Sequence, residues 1–447
     1  MRVLVIETTP ATPHAETGLE IAIKEKLAGS EVVYCPIFHL IPDLIWKSNI
    51  NGRNSTGKVD SIDDWLNYLI DVVKPYALVD VFAITDTPNY VNEIIKQNIF
   101  DFIYDSHPFG SLVKSNAVQL FNTIDFDEIL LNYRSSCESL AQTAILSYEL
   151  AQYLIRKHTP DVVYFFNGRT AATWPIFLAC QKMGVKPLIH ERGATKSKFS
   201  VWDRPPQYQE VIKEEINKFA LGRSINKARL SAATFYTRQR RGKITGYGFK
   251  NEFQDHDAEI EVEGLRDCFV VYYTTSNNEI LLMPSQDVTN SLGSQQEAVN
   301  ILWNVCKKEN IQIVIKMHPG TPKSEQNYYF ELADGDNCIV IPPGSSISSY
   351  KLGEKSFRNF SYGSTITWEF LFSGVNCAVL SNTIGRGEAG VIELDSEETI
   401  RKYLHDPLPA VDPGFSIKFA DFMNNYGEVY DFYQAETLFS GTFDINL

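Results

Sequence analysis

Residues 161–193 constrain the fold more tightly than any other stretch of this chain. DVVYFF at 161–166 is a short apolar run that stops at Asn167-Gly168-Arg169, and 171–183 reads as a helix closed by Gly184. A second short strand, 186–190, runs into Glu191-Arg192-Gly193. Strands joined through a helix pair in parallel by a right-handed crossover, so the two polar mouths open side by side at one sheet edge. The same rhythm recurs in the first half, with strands at 3–6, 31–34 and 77–84 and helices at 19–27, 61–73, 89–97 and 138–157. It restarts in the second, with strands at 268–273, 311–316, 338–341 and 377–380 and helices at 294–308, 327–333 and 366–372.

The pattern predicts an α/β protein, and 447 residues exceed what one hydrophobic core organises. Two domains are expected, 1–245 and 265–447, joined by a Gly-containing, acidic linker at 243–264. A basic helical segment at 205–242 falls in the first, and the last helices are free to pack back on it. That segment reads either as a solvated helix face or as a surface for phosphates or an anionic membrane.

A net charge of −14 argues against general nucleic-acid binding, so an anionic partner has to be met locally. Seven scattered cysteines with no CxxC read as buried hydrophobes in a reducing compartment, and no metal site is expected. The N-terminal apolar run is too short for a signal peptide, and no stretch approaches the roughly 18 apolar residues of a membrane span. The expectation is a cytoplasmic protein, with peripheral contact at the cytoplasmic face of the inner membrane allowed.

Polar strand ends carry the candidate chemistry, because open α/β sheets bind ligands beyond the carboxyl ends of their strands. IQIVIKMHPG at 311–320 ends in Lys316, His318 and Pro319, a fixed cation and a titratable imidazole at one mouth, or else a histidine that only caps a strand. Tyr362-Gly363-Ser364-Thr365 leads from a strand into a helix, an arrangement that binds anions or simply caps the helix. Glu369, one turn further on, could hold ribose hydroxyls. Arg169 and Arg192 suit carboxylates or phosphates, and Glu191 is placed for proton transfer or for an internal salt bridge. His14 and Glu16 sit in the loop after the first strand, and Asp105 and His107 belong to a second His-Pro string.

Taken in order, FFNGR, HERG, YYTTSNNE, KMHPG, SSYKL and YGSTITWEFLFSGVNCAVL resemble bacterial capsule and O-antigen (lipopolysaccharide) glycosyltransferases with a His-Pro motif, a group that includes sialyl- and Kdo-transferring enzymes. The resemblance covers roughly 160–385 and leaves the first 150 residues unassigned. It implies a GT-B fold, two Rossmann-like domains facing each other across a cleft. It also implies metal-independent transfer of a sugar from a nucleotide-sugar, a CMP-sugar such as CMP-Kdo being favoured, to a surface polysaccharide or glycolipid; the nucleotide-sugar is a substrate, and no cofactor is implied. Carried onto this sequence, Lys316 and His318, the latter protonated, would stabilise the departing phosphate beside Pro319. Thr275, Ser276, Tyr362, Gly363, Ser364 and Thr365 would line the donor site, and Glu369 would meet the ribose. Glu191 would be the catalytic acid or base, with Asp105 its rival, and Asn167, Gly168, Arg169, Arg192, His107 and His14 would face the acceptor. Arg358 and Asn359 interrupt the apolar strand expected before the Gly-Ser-Thr loop. A CDP-polyol phosphotransferase of teichoic-acid type and a non-catalytic nucleotide- or glycan-binding scaffold remain the alternatives.

Overall fold

The computed structural model describes residues 1–41, 61–81, 99–241, 260–276 and 291–444. Among them the chain divides into two compact units, 1–211 with 425–444 and 212–276 with 291–424. The division falls at Val211, inside a helix, so the basic helices group largely with the second unit, where composition alone places the boundary at 245. Most of the expected linker, the helix at 89–97 and the residues 277–279 of the YYTTSNNE string lie outside the described residues.

The first unit is built on β1 (Arg2–Glu7), β2 (Glu31–Pro36), β3 (Leu78–Val79), β4 (Val162–Phe166), β5 (Lys186–Arg192), β6 (Lys198–Trp202) and β13 (Glu428–Val429). Its sheet order is β13-β6-β5-β4-β1-β2-β3, with β3 through β5 parallel and β6 and β13 antiparallel additions. The order 3-2-1-4-5 is Rossmann-like, and the strand sequence reverses between β1 and β4. Its helices are α1 (His14–Leu27), α2 (Ile62–Val73), α3 (Phe109–Phe121), α4 (Phe126–His158) and α5 (Trp174–Met183). α6 (Gln209–Leu221) and α7 (Ile225–Arg240) follow. Strand residues of alternating parity explain the core: Val3, Val5, Val32, Tyr34, Val162 and Tyr164 pack on Leu19 and Ala22 of α1.

The second unit repeats the plan with a complete parallel sheet. Its strands are β7 (Phe269–Tyr273), β8 (Gln312–Lys316), β9 (Cys338–Ile341), β10 (Arg358–Ser361), β11 (Ala378–Val379) and β12 (Ile392–Glu393), ordered β12-β11-β10-β7-β8-β9. This is the 3-2-1-4-5-6 order, with the reversal between β7 and β10. Covering helices are α8 (Gln295–Lys308), α9 (Lys323–Leu332), α10 (Ser349–Lys355), α11 (Ile366–Phe372), α12 (Glu397–His405) and α13 (Gly414–Asn425). α8 starts in a capping box, the Ser294 hydroxyl accepting from Glu297 N–H while the Glu297 carboxylate accepts from Ser294 N–H.

The polar residues that interrupt β10 in sequence are buried and satisfied. The Arg358 guanidinium donates to the carbonyls of Phe357, Tyr403 and Asp406 and lies over the Phe357 ring. Asn359 donates to the Gly353 and Asn376 carbonyls and accepts from the Ser356 hydroxyl. Buried polar groups are tolerated where partners are complete, which is how a strand written RNFS occupies the sheet interior.

Candidate functional site

Each sheet has its polar residues concentrated at the carboxyl edge beside the strand-order reversal. In the second unit, Thr274, Thr275 and Ser276 leave β7 and are buried. The Thr274 hydroxyl accepts from His318 N–H at 2.7 Å, and Thr274 N–H donates to the Lys316 carbonyl at 3.1 Å, which ties the β7 and β8 mouths together. Gln295, at the start of α8, accepts from Thr275 N–H and donates to the Thr275 carbonyl at 2.7 and 3.1 Å. Nothing in the local sequence around Gln295 marks that amide clamp; only the buried first turn of α8 gives it meaning.

Lys316 ends β8 on the face that carries Val314 and is only 4% exposed. No carboxylate or hydrogen-bond acceptor among the described residues meets its ammonium, and burial lowers its pKa to about 8. His318, two residues on, has its Nδ1 accepting from Gly320 N–H at 3.1 Å, and burial lowers its pKa to about 4. That hydrogen bond assigns the proton to Nε2 of a neutral ring. The expected protonated His318 is therefore corrected: before a ligand arrives it is a neutral Nε2–H donor. Pro319 is exposed at the same turn.

Gly363 follows β10 with φ +74°, and a Cβ there would stand 2.8 Å from the Ser381 hydroxyl, so both conformation and space demand glycine. Tyr362 is buried and donates to the Gly293 carbonyl at 2.6 Å. Ser364 and Thr365 precede α11, but neither side chain caps it, which leaves both hydroxyls outside the helix's own hydrogen bonding. Glu369 accepts a hydrogen bond from the Tyr350 hydroxyl, and burial raises its carboxyl to about 7. It is engaged by α10 rather than held open for a ribose.

In the first unit, β5 runs on to Arg192, two residues past its sequence-predicted end, so Glu191 and Arg192 lie within a strand paired with Ser200 and Phe199 of β6. Alternation then separates them: His190 and Arg192 share the face of Leu188, which packs with the α1 core, and Glu191 points to the other face. Glu191 accepts from Asn167 Nδ2 at 2.7 Å and from Arg192 N–H at 3.1 Å. Burial raises its pKa against those hydrogen bonds and the nearby Arg169 and Arg192 charges. Asn167 and Gly168 both adopt positive φ, and Asn167 Oδ1 accepts from Arg169 N–H, a compact turn that aims the amide at Glu191.

The α1 face of the same edge joins His14 and Glu16 to Glu7 and His190, two residues that sequence reasoning missed. His14 is the first residue of α1 rather than a loop residue, and its ring lies 3.9 Å from that of Phe166, the last residue of β4. Burial, with the Arg192 charge and His190 adding to it, lowers the His14 pKa. Glu7, at the end of β1, is fully buried; one oxygen accepts from Thr9 N–H and the other accepts nothing among the described residues. Glu16 accepts from the Thr12 hydroxyl and likewise keeps one oxygen unpartnered, as do both His190 nitrogens and the Tyr34 hydroxyl. Burial raises Glu7 to about 8 and Glu16 to about 7, and lowers His190 to about 3. A glutamate ending VLVIE and a histidine inside LIHER are polar residues at positions the alternating pattern marks as buried. That mismatch was the available signal.

The C-terminal segment completes this face. The Glu20 carboxylate accepts from the N–H groups of Asp431, Phe432 and Tyr433, and the Tyr430 and Thr17 hydroxyls are 2.7 Å apart. Asp105 and His107 belong elsewhere, in a turn before α3. Asp105 accepts from Tyr148 of α4 and from Lys182 in the last turn of α5, while the Asn167 turn precedes the start of α5. The ring of His107 packs on Phe109 and Tyr148. One group of metal-ligating type occurs among the described residues, Cys35, Asp80 and His158. Its Asp80 carboxylate is already held by Lys157 and His158.

No family model matches the chain, and no curated protein matches it in sequence. Solved structures similar to it include the β-Kdo 2,4-transferase of KpsC from Thermosulfurimonas dismutans, at 14% identity and TM-score 0.37 over 59% of this chain and 79% of that one. The UDP-GlcNAc 2-epimerase of Methanocaldococcus jannaschii, in complex with UDP-GlcNAc and UDP, aligns at 14% identity and TM-score 0.31 over 94% and 98%. MurG of Acinetobacter baumannii aligns at 12% identity and TM-score 0.23 over 96% of each chain. No helix among the described residues is long and apolar enough to cross a membrane.

Proposed function

We propose that the chain is a GT-B-type glycosyltransferase that binds a nucleotide-sugar through the Lys316–His318 edge of its second unit and an acceptor hydroxyl through the first. The observation that carries this reading is Lys316, a residue only 4% exposed whose ammonium meets no counter-charge among the described residues, at the carboxyl edge of a sheet in Rossmann order. A cation drawn this far out of water without a counter-charge costs stability, and an anionic ligand supplies what the fold omits. A pyrophosphate or phosphate fits, because the same carboxyl edge also offers the His318 Nε2–H, held in place through Nδ1, and the Ser364 and Thr365 hydroxyls, which α11 does not use.

In the transfer, the acceptor oxygen forms a bond to the anomeric carbon as the bond from that carbon to the phosphate oxygen breaks. The bonding pair leaves with the nucleotide, whose added charge Lys316 and His318 stabilise, and the acceptor proton passes to a carboxylate base. Glu191 is the first candidate for that base. Glu16 is the second, favoured by one observation: both Glu191 oxygens already accept hydrogen bonds, while a Glu16 oxygen accepts none among the described residues. The motif strings favour a CMP-sugar such as CMP-Kdo as donor and a surface polysaccharide or glycolipid as acceptor.

Turnover with CMP-, UDP- and GDP-sugars and with CDP-glycerol tests the reading. His318→Ala is expected to lower kcat by roughly 100- to 1,000-fold, the usual loss of one fixed donor to a transition-state oxyanion. Of Glu191→Gln and Glu16→Gln, the base variant loses turnover while its nucleotide affinity stays. Transfer only from CDP-glycerol would replace the sugar donor with a polyol phosphate, and nucleotide binding without turnover on any acceptor would leave a binding scaffold.

A further inference from the structure

We infer that the corner between α6 and α7 is a docking surface for an anionic lipid bilayer. From Ile216 to Arg241 the chain has no Asp or Glu and a Lys or Arg every few residues, in a protein whose acidic residues outnumber its basic ones by 55 to 41. On the same corner three aliphatic side chains stand in water: Leu221 is 89% exposed, Leu230 72% and Ile225 58%. Single exposed aliphatics are ordinary, but three within ten residues, at a helix corner ringed by cations, are an interfacial composition.

The helix geometry places them together. α7 buries Ala228, Ala232, Phe235 and Tyr236, which lie along one side at 3.6 residues per turn. Leu230 then projects from the opposite side, with Arg241 near its line and Lys227 beside it. Lys227 and Arg229 make no ion pair among the described residues. Other basic groups of the segment are committed inward: Arg223 forms a two-pronged pair with the buried Asp421, and Arg240 pairs with Glu354. One set of cations therefore fixes the helices and another faces outward beside apolar side chains. Charge complementarity selects the occupant, because a strongly acidic protein is repelled by an anionic membrane everywhere except at such a patch.

Co-sedimentation of the full chain with phosphatidylcholine vesicles, with and without about 30% phosphatidylglycerol, tests this. Binding is expected only with the anionic lipid, weakening as salt rises from about 50 mM to beyond about 300 mM. Lys227→Glu with Arg229→Glu should lower the partition coefficient by well over tenfold, since each Lys or Arg near such a surface contributes roughly fivefold. Leu221→Ser with Leu230→Ser should lower it several-fold at unchanged salt dependence, and Lys323→Glu, an exposed cation elsewhere in the same unit, should leave it unchanged. Circular dichroism confirms that the variants are folded. No binding to anionic vesicles at low salt, equal binding by all variants, or binding to RNA in place of vesicles would overturn the inference. Nucleotide affinity, measured alongside, is expected to be the same in every variant, which keeps this result separate from the transferase reading.

Discussion

Lys316→Met is expected to make the protein more stable and a poorer nucleotide binder at once. A lysine that serves packing loses stability when its charge is removed, whereas one held for a ligand gains it. Lowering the ammonium pKa from 10.5 to about 8 corresponds to a penalty of about 3 kcal/mol at neutral pH, by the free energy of one pKa unit. Met keeps the length of the side chain and the contacts of its stem, so part of that penalty is recovered and the melting temperature rises. The sign in pH is fixed as well. Between the folded and unfolded pKa values the unfolded state binds the extra proton, so wild-type stability climbs from about pH 8 toward about pH 10.5, and Lys316→Met abolishes that climb. Loss of a charged hydrogen bond to phosphate should weaken nucleotide affinity by roughly 10- to 100-fold. Thermal melts and isothermal titration with CMP, UDP, GDP and CDP read both. A variant that melts lower and binds nucleotide normally would make Lys316 a structural residue and remove the support for the donor site.

Strand rhythm made the architecture legible: short apolar runs, helices of crossover length and polar mouths lead to parallel sheets in both units, and the structure orders them 3-2-1-4-5 and 3-2-1-4-5-6. Register was not legible. A run such as KPLIHERG gives no local sign of where pairing ends, because the extension of β5 to Arg192 is set by its antiparallel partner β6. That extension decides which face Glu191 and Arg192 occupy. Satisfaction of buried polar groups is equally non-local. Arg358 looked like a break in a strand because its acceptors, the Tyr403 and Asp406 carbonyls, come from more than forty residues further on. Glu369 looked available for a ribose because Tyr350 lies nineteen residues before it and reaches it only once α10 has formed. The place of Lys316 and His318 at a strand end was legible because it needs only local information. Glu7 was passed over because a single acid at the end of a strand is unremarkable until the helix that buries it is in place.

Glu7→Gln should flatten the dependence of stability on pH near neutrality. Glu7 lies beneath α1 with one oxygen accepting from Thr9 N–H and the other close to Gly18, where a Cβ would approach it to 2.6 Å. Burial raises its carboxyl from 4.5 to about 8, so the folded protein holds a proton there that the unfolded chain releases. Stability contributed by this group is complete below about pH 4.5 and is lost as pH rises through about 8. The amount lost is about 3 kcal/mol by pH 7 for a shift of this size. Glu16, raised to about 7, acts with the same sign over a lower window. The buried His190 and the half-buried His318 act with the opposite sign, but their contribution is complete once pH exceeds the ordinary histidine value, 6.5. Between about pH 6.5 and 8 the carboxyls therefore stand alone, and Lys316 begins to act only above that range. In that window the wild-type melting temperature should fall with pH. Glu7→Gln, which keeps the acceptor for Thr9 and cannot ionise, should fall much less and melt higher at about pH 8. Parallel melting curves for the two proteins would mean that Glu7 is ionised and paired in the folded protein.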